Sequence, residues 1–119
     1  MRGSSRRPEQ VAENIRQILA QVIGRELRDP RVGSVTITRV EVTGDLGHAT
    51  IYVAASGTDE EQERAIEGLE SAAGFLRSKL ARVLTTRTVP TVAFAIDRGL
   101  EQARKIDALL DQIHRESLD

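Results

Sequence analysis

Any catalytic or metal chemistry in this chain would have to be built from carboxylates, hydroxyls and two histidines, because it contains no cysteine. His48 stands beside the segment Thr43-Gly44-Asp45-Leu46-Gly47, and His114 lies near the C-terminus. Neither belongs to a His-x-x-x-His or Glu-x-x-His spacing, so a zinc site would rest almost wholly on carboxylates. No glycine loop of the phosphate-cradling kind precedes a Lys-Ser/Thr pair. Ser71 and Ser78 have no candidate base near them in sequence. His48 therefore reads as a turn or surface residue. The expectation is a protein without catalytic residues, metal, cofactor or small-molecule substrate.

A different chemistry is open to the cations that follow a break in a helical pattern. The segment Ser71-Ala72-Ala73-Gly74 interrupts an apolar helical spacing, and Arg77, Lys79 and Arg82 come directly after it. Glycine inside a helix costs about 1 kcal/mol relative to alanine. It is tolerated where the backbone bends or another backbone comes close. A bent helix pair with free amides beside cations suits a phosphodiester backbone. A plain kink that lets two helices wrap one sheet, with a solvated Arg/Lys face, accounts for the same residues. Local sequence leaves both open.

The charge balance favours a polyanion more than the net value suggests. The formal net charge is −1, yet residues 1–39 carry +4, residues 40–70 carry −7, residues 71–98 carry +4 and residues 99–119 carry −2. Segregation of this kind can give one basic and one acidic face, and the local potential is what a charged partner meets. Arginine outnumbers lysine by 15 to 2, and its planar fork suits phosphate, although codon bias gives the same preference.

These residues need a scaffold, and the patterning supplies one domain over residues 1–119, with residues 1–7 flexible and 114–119 frayed. Val11, Ile15, Ile18, Leu19, Val22, Ile23 and Leu27 form one helical stripe, which predicts a helix over residues 8–28, ended by Asp29-Pro30. Residues 34–42 are β-branched, and their apolar parity changes near Arg39, which predicts a bulge or two partly covered faces. Alternation through Ala49, Ile51, Val53 and Ala55 predicts a partner strand in an antiparallel hairpin. Thr58-Asp59-Glu60-Glu61 fits a capping box ahead of an acidic helix, so much of the acidic cluster serves helix stability. Asp29 and Asp45 read as turn carboxylates that bind backbone amides. A third strand follows Pro90, and Asp97 can cap a last amphipathic helix through Leu100, Ala103, Ile106, Leu109, Leu110 and Ile113. The class is α+β: α-β-β-α-(break)-α-β plus a C-terminal helix, a three-stranded mixed sheet with helices on one face. No apolar run approaches the roughly 20 residues of a membrane span, and the N-terminus lacks a secretory apolar region. A cytoplasmic monomer that does not engage membranes is expected.

Several stretches, in this order and spacing, resemble the bacterial ribosome-binding factor A family. They are Glu26-Leu27-Arg28-Asp29-Pro30-Arg31, Val35-Thr36-Ile37-Thr38-Arg39-Val40, Asp45-Leu46 with Ala49-Thr50-Ile51-Tyr52-Val53, Ala72-Ala73-Gly74-Phe75-Leu76-Arg77, and Arg87-Thr88-Val89-Pro90 running on to Phe94 and Asp97. The resemblance implies a type II KH-like domain in which an Ala-x-Gly kink, here Ala72-Ala73-Gly74, replaces the usual Gly-x-x-Gly loop. It implies binding to the 30S subunit and its 16S rRNA in late maturation, in support of precursor-end processing that other enzymes catalyse, and a link to growth in the cold. By that analogy Ala72, Ala73 and Gly74 are the backbone platform, with Arg77, Lys79, Arg82 and Arg87 on phosphates. Arg28 and Arg31 form a second patch, although an ion pair of Arg28 with Asp29 or Glu26 is the alternative. With three aromatic residues, Phe75, Phe94 and Tyr52, a stacking platform is not expected. The rival is a KH-like protein-interaction module using the acidic helix over residues 59–70 or the C-terminal helix.

Overall fold

The computed structural model describes residues 7–86 and 88–117. The chain runs α1 (Pro8–Arg25), β1 (Val35–Val42), β2 (His48–Ala55), α2 (Asp59–Ser71), α3 (Ala73–Val83), β3 (Thr91–Ile96) and α4 (Gly99–Ser117). The order is the expected one, with the break at Ala72. Helix α1 ends at Arg25, not Arg28. Glu26 closes it by donating its amide to the Val22 carbonyl at 2.8 Å, and the chain then leaves the helix ahead of Pro30.

The sheet has the order β1-β2-β3, antiparallel between β1 and β2 and parallel between β2 and β3. Its register slips between Ile37 and Arg39, so the parity change in the sequence is a bulge at Thr38. The Thr38 hydroxyl donates to Asp97 Oδ2 at 2.5 Å, with the Tyr52 carbonyl 3.2 Å away. Ala49, Ile51 and Val53 of β2 point into the core with Phe94 of β3, where Ile15 and Leu19 of α1, Leu69 of α2, and Leu76 and Leu80 of α3 cover them. Complete burial of such side chains is worth about 1.5–3 kcal/mol each. The predicted capping box holds α2: the Thr58 hydroxyl accepts from the Glu61 amide at 3.1 Å, and Glu61 Oε1 accepts from the Thr58 amide at 2.9 Å. Glu70 accepts from the Phe94 amide at 2.8 Å, so α2 satisfies a donor on β3, a strand at the edge of the sheet.

The three helices α1, α2 and α3 lie on one face, as expected. Helix α4 does not join them. Its apolar stripe of Ile106, Leu109, Leu110 and Ile113 is more than half exposed, and among the described residues α4 makes no extensive contact with another element. Residues 114–117 continue α4, and residues 1–6 and 118–119 lie outside the described residues. The opposite sheet face is open and carries Arg39 stacked on the Tyr52 ring at 3.7 Å, an ion pair of Arg39 with Glu41, and Asp97 3.6 Å from Arg39.

The turn after α1 is packed tightly against α2. A Cβ on Gly68 would lie 3.0 Å from Val32 Cγ2 and 3.3 Å from both Arg31 Cβ and Asp29 Oδ2. Val32 is buried and cannot swing away. Gly68→Ala is therefore expected to destabilise the domain by on the order of 1 kcal/mol in urea unfolding, the overpacking exceeding alanine's helical advantage. A stabilised variant would mean that this contact is loose.

Turn carboxylates should set the acid limb of stability. The Thr43 hydroxyl, then the Gly47 amide, hold the Asp45 carboxyl below its ordinary range. The Thr58 amide lowers Glu61, and the Thr38 hydroxyl, followed by the Gly99 amide, lowers Asp97. A depressed folded-state pKa contributes stability above the unfolded value, near 4, and loses it as pH falls through the folded value. The unfolding midpoint should be flat from about pH 7 to 5 and fall below about pH 4. A midpoint that rises on acidification would contradict these assignments.

Candidate nucleic-acid interface

Between α2 and α3 the backbone passes through Ala72 at φ −91° and ψ 2°, outside the helical well. The Ala72 amide is shared between the carbonyls of Gly68 at 3.2 Å and Leu69 at 3.0 Å, and its own carbonyl starts α3 by accepting from Leu76 at 2.9 Å. No side chain caps α3. The first turn of any helix has amides without intrahelical partners and carries partial positive charge. Here that turn is Ala73-Gly74-Phe75. A Cβ built on Gly74 would meet nothing within 4 Å, and its φ is not left-handed. Neither packing nor backbone conformation demands glycine at this position, and the space beside it is free for an outside group.

Helix α3 contains no acidic residue. Its buried side, Leu76 and Leu80, fixes which way the rest point. With about 100° per residue, Phe75, Ser78, Lys79 and Arg82 share one outer strip, while Gly74, Arg77 and Ser78 share the next. The three predicted cations thus flank the outer surface and do not converge on one point. Arg77 donates to the Val89 carbonyl at 2.9 Å, tying α3 to the loop before β3. Lys79 pairs with Glu26 at 2.8 Å and stands 5.3 Å from the Phe75 ring centre. That ion pair sets the end of α1, with Arg25 and then Arg28, alongside α3. Arg82 is exposed and makes no hydrogen bond or ion pair among the described residues.

The second predicted patch divides. Arg31, not Arg28, pairs with Asp29, at 2.7 Å, and reaches Ser71 Oγ at 3.3 Å, one residue ahead of the break. The Arg31 side chain, followed by its amide, holds the Asp29 carboxyl below its ordinary range. Asp29 and Asp45 are both turn carboxylates as expected, accepting from the Arg31 and Gly47 amides at 2.9 Å each. Arg28 is exposed without a partner among the described residues. Arg87 lies outside the described residues.

Residues 7–110 match the model of the family described as ribosome-binding factor A. The chain belongs to that family. A ribosome-binding factor A of Thermomicrobium roseum is 48% identical over 112 residues, covering 94% of this chain and 87% of that one. The Clavibacter michiganensis protein of the same name is 42% identical, over 95% of this chain and 68% of its own. The crystal structure of Thermus thermophilus ribosome-binding factor A superposes with a TM-score of 0.69 at 27% identity, over 77% of this chain and 97% of that one. A homology model of the Thermus protein, fitted into a cryo-EM map of its complex with the 30S subunit, superposes with a TM-score of 0.63 at 28% identity, over 76% of this chain and 94% of that one.

Two features of this surface escaped the sequence reading. The Lys79–Glu26 pair joins residues far apart in sequence and had no local signal. The exposure of Phe75 did have one: Leu76, Leu80 and Leu84 define the buried stripe, and Phe75 falls off it.

Gly74→Ala separates stability from recognition. Thermal unfolding should be unchanged or improved by up to about 1 kcal/mol, because alanine favours helix and meets no neighbour. Loss of more than that would make Gly74 a packing residue and remove the case for an open backbone there.

Proposed function

We propose that this chain binds the 30S subunit through 16S rRNA during late maturation and supports precursor-end processing without cleaving RNA. The observation that carries the reading is the family match over residues 7–110, alongside a Thermus relative fitted in a 30S complex. The surface of α3, a helix with no acid of its own and with Glu26 beside Lys79, begins at an uncapped turn with open space beside Gly74 and is the part of the molecule best suited to a phosphodiester backbone. Arg77, Lys79 and Arg82 contact phosphates, Ala72, Ala73 and Gly74 present backbone, and Arg28 extends the surface. Arg31 acts chiefly as a clasp on α2, and Arg87 belongs to the same proposal on sequence grounds. The factor acts in the cytoplasm as a monomer, and its loss should slow growth most in the cold.

One observation favours a second reading, a protein-interaction module: the exposed stripe of α4 is apolar and unsuited to RNA.

Co-sedimentation with 30S subunits, 70S ribosomes and free 16S rRNA across a salt series tests the proposal. Wild type should travel with 30S and largely avoid 70S. The variant Arg77→Ala/Lys79→Ala/Arg82→Ala should bind less and show a slope of log affinity against log salt shallower by about 2. Undiminished binding by the variant would discard the α3 surface. Failure of folded wild type to bind any of the three at low salt would discard the function and favour the α4 reading.

A further inference from the structure

Phe75 is the one aromatic side chain that the fold leaves uncovered. Phe94 is in the core, and Tyr52 lies under the Arg39 guanidinium. Phe75 is 43% exposed at the first turn of α3, directly after Gly74. An exposed phenyl ring on a helix that already buries Leu76 and Leu80 adds little to the core. Its neighbours on the same strip are Ser78, Lys79 and Arg82, with the Lys79 ammonium 5.3 Å from the ring centre. The ring therefore has cations on its strip, open backbone on its N-terminal side and no acid on its helix.

We infer that Phe75 stacks against one unpaired base of the RNA whose backbone runs along the start of α3. A strand with a phosphate at the Gly74 turn must place its neighbouring base within a few ångströms, on one side or the other. On the Phe75 side it meets a flat apolar ring flanked by cations, which suits a nucleobase linked to phosphates. A purely protein partner would gain from the ring but not from Lys79 and Arg82, unless it were acidic. One ring holds one base, so the scarcity of aromatics excludes an extended stacking platform and not this contact. In the Lys79–Glu26 pair the ammonium is half-buried while Glu26 is open to solvent, so a phosphate can displace Glu26 from it. This inference rests on the proposed RNA binding and adds to it the recognition of a base.

The chain has no tryptophan, so Phe75→Trp places a single indole reporter at the site. The probes are short oligoriboadenylate, oligouridylate and an abasic ribose–phosphate oligomer of equal length. Expected is saturable quenching of Phe75→Trp emission by the base-bearing oligomers and none by the abasic one. Phe75→Leu, which keeps helix and bulk, should bind the base-bearing oligomers on the order of ten-fold more weakly and the abasic oligomer as wild type does. Equal binding of all oligomers by wild type and Phe75→Leu would overturn stacking while leaving phosphate contact intact. Binding of 30S subunits without affinity for any oligomer would also overturn it, assigning the ring to a ribosomal protein. If neither 30S nor oligomers bind folded wild type, the RNA-binding reading fails as well.

Discussion

A short sheet forces the break on which this molecule's surface chemistry depends. Strands of six to eight residues offer a face roughly 20–27 Å long. Residues 59–83 as one straight helix would run about 37 Å and overhang it. The apolar spacing does not demand a break, because Leu69, Leu76 and Leu80 would fall on one side of a continuous helix. What demands it is cover: α2 must lie along β3, where Glu70 takes the Phe94 amide, while α3 must reach α1 and close the core with Leu76 and Leu80. Turning at Ala72-Ala73-Gly74 satisfies both with residues small enough to leave the turn open. An uncapped helix start on the surface follows from packing.

The turn after α1 fixes where that start sits. Asp29 binds the Arg31 amide and guanidinium, Val32 is buried, and the turn rests on Gly68 with Arg31 touching Ser71. Exposed ion pairs contribute little to stability, so burial of Val32 and the absence of a Cβ at Gly68 matter more here than the charges. The Asp29-Pro30-Arg31 motif lies beside the break and holds the turn there, so Arg31 has a structural partner that its place in a basic stretch of sequence did not reveal.

Features whose cause is local were legible in the sequence: the capping box at Thr58 and Glu61, the turn carboxylates Asp29 and Asp45, the bulge marked by the parity change near Arg39, and the break at Ala72-Ala73-Gly74. Each depends on residues within a few positions of one another. What was not legible joins distant segments. Glu70 on the Phe94 amide, Lys79 on Glu26 and Arg39 over Tyr52 become visible only when the helices and strands are placed. The last helix shows a different limit, since an apolar stripe predicts that a helix wants cover and says nothing about whether this domain supplies it. At the candidate interface, spacing gave the cations but not their directions around α3, which follow from the two leucines it buries.

The resulting surface has a particular selectivity. Arg77 and Arg82 are exposed and Lys79 is half-buried, Arg77 and Lys79 already hold weak partners, and together the three offer contacts that salt screens readily. No single contact of that kind is strong enough to choose one RNA from another. On the proposed function, discrimination would come from a folded RNA that presents phosphates to Arg77, Lys79 and Arg82 at once, around a helix whose packing against Leu69 and β3 holds their spacing. A single aromatic ring fits that logic. It adds one sequence-tolerant stacking contact next to the backbone platform and favours an unpaired nucleotide over a duplex without reading which base it is. On the proposed function, such a surface would recognise a conformation of RNA, and release would need only that the conformation change.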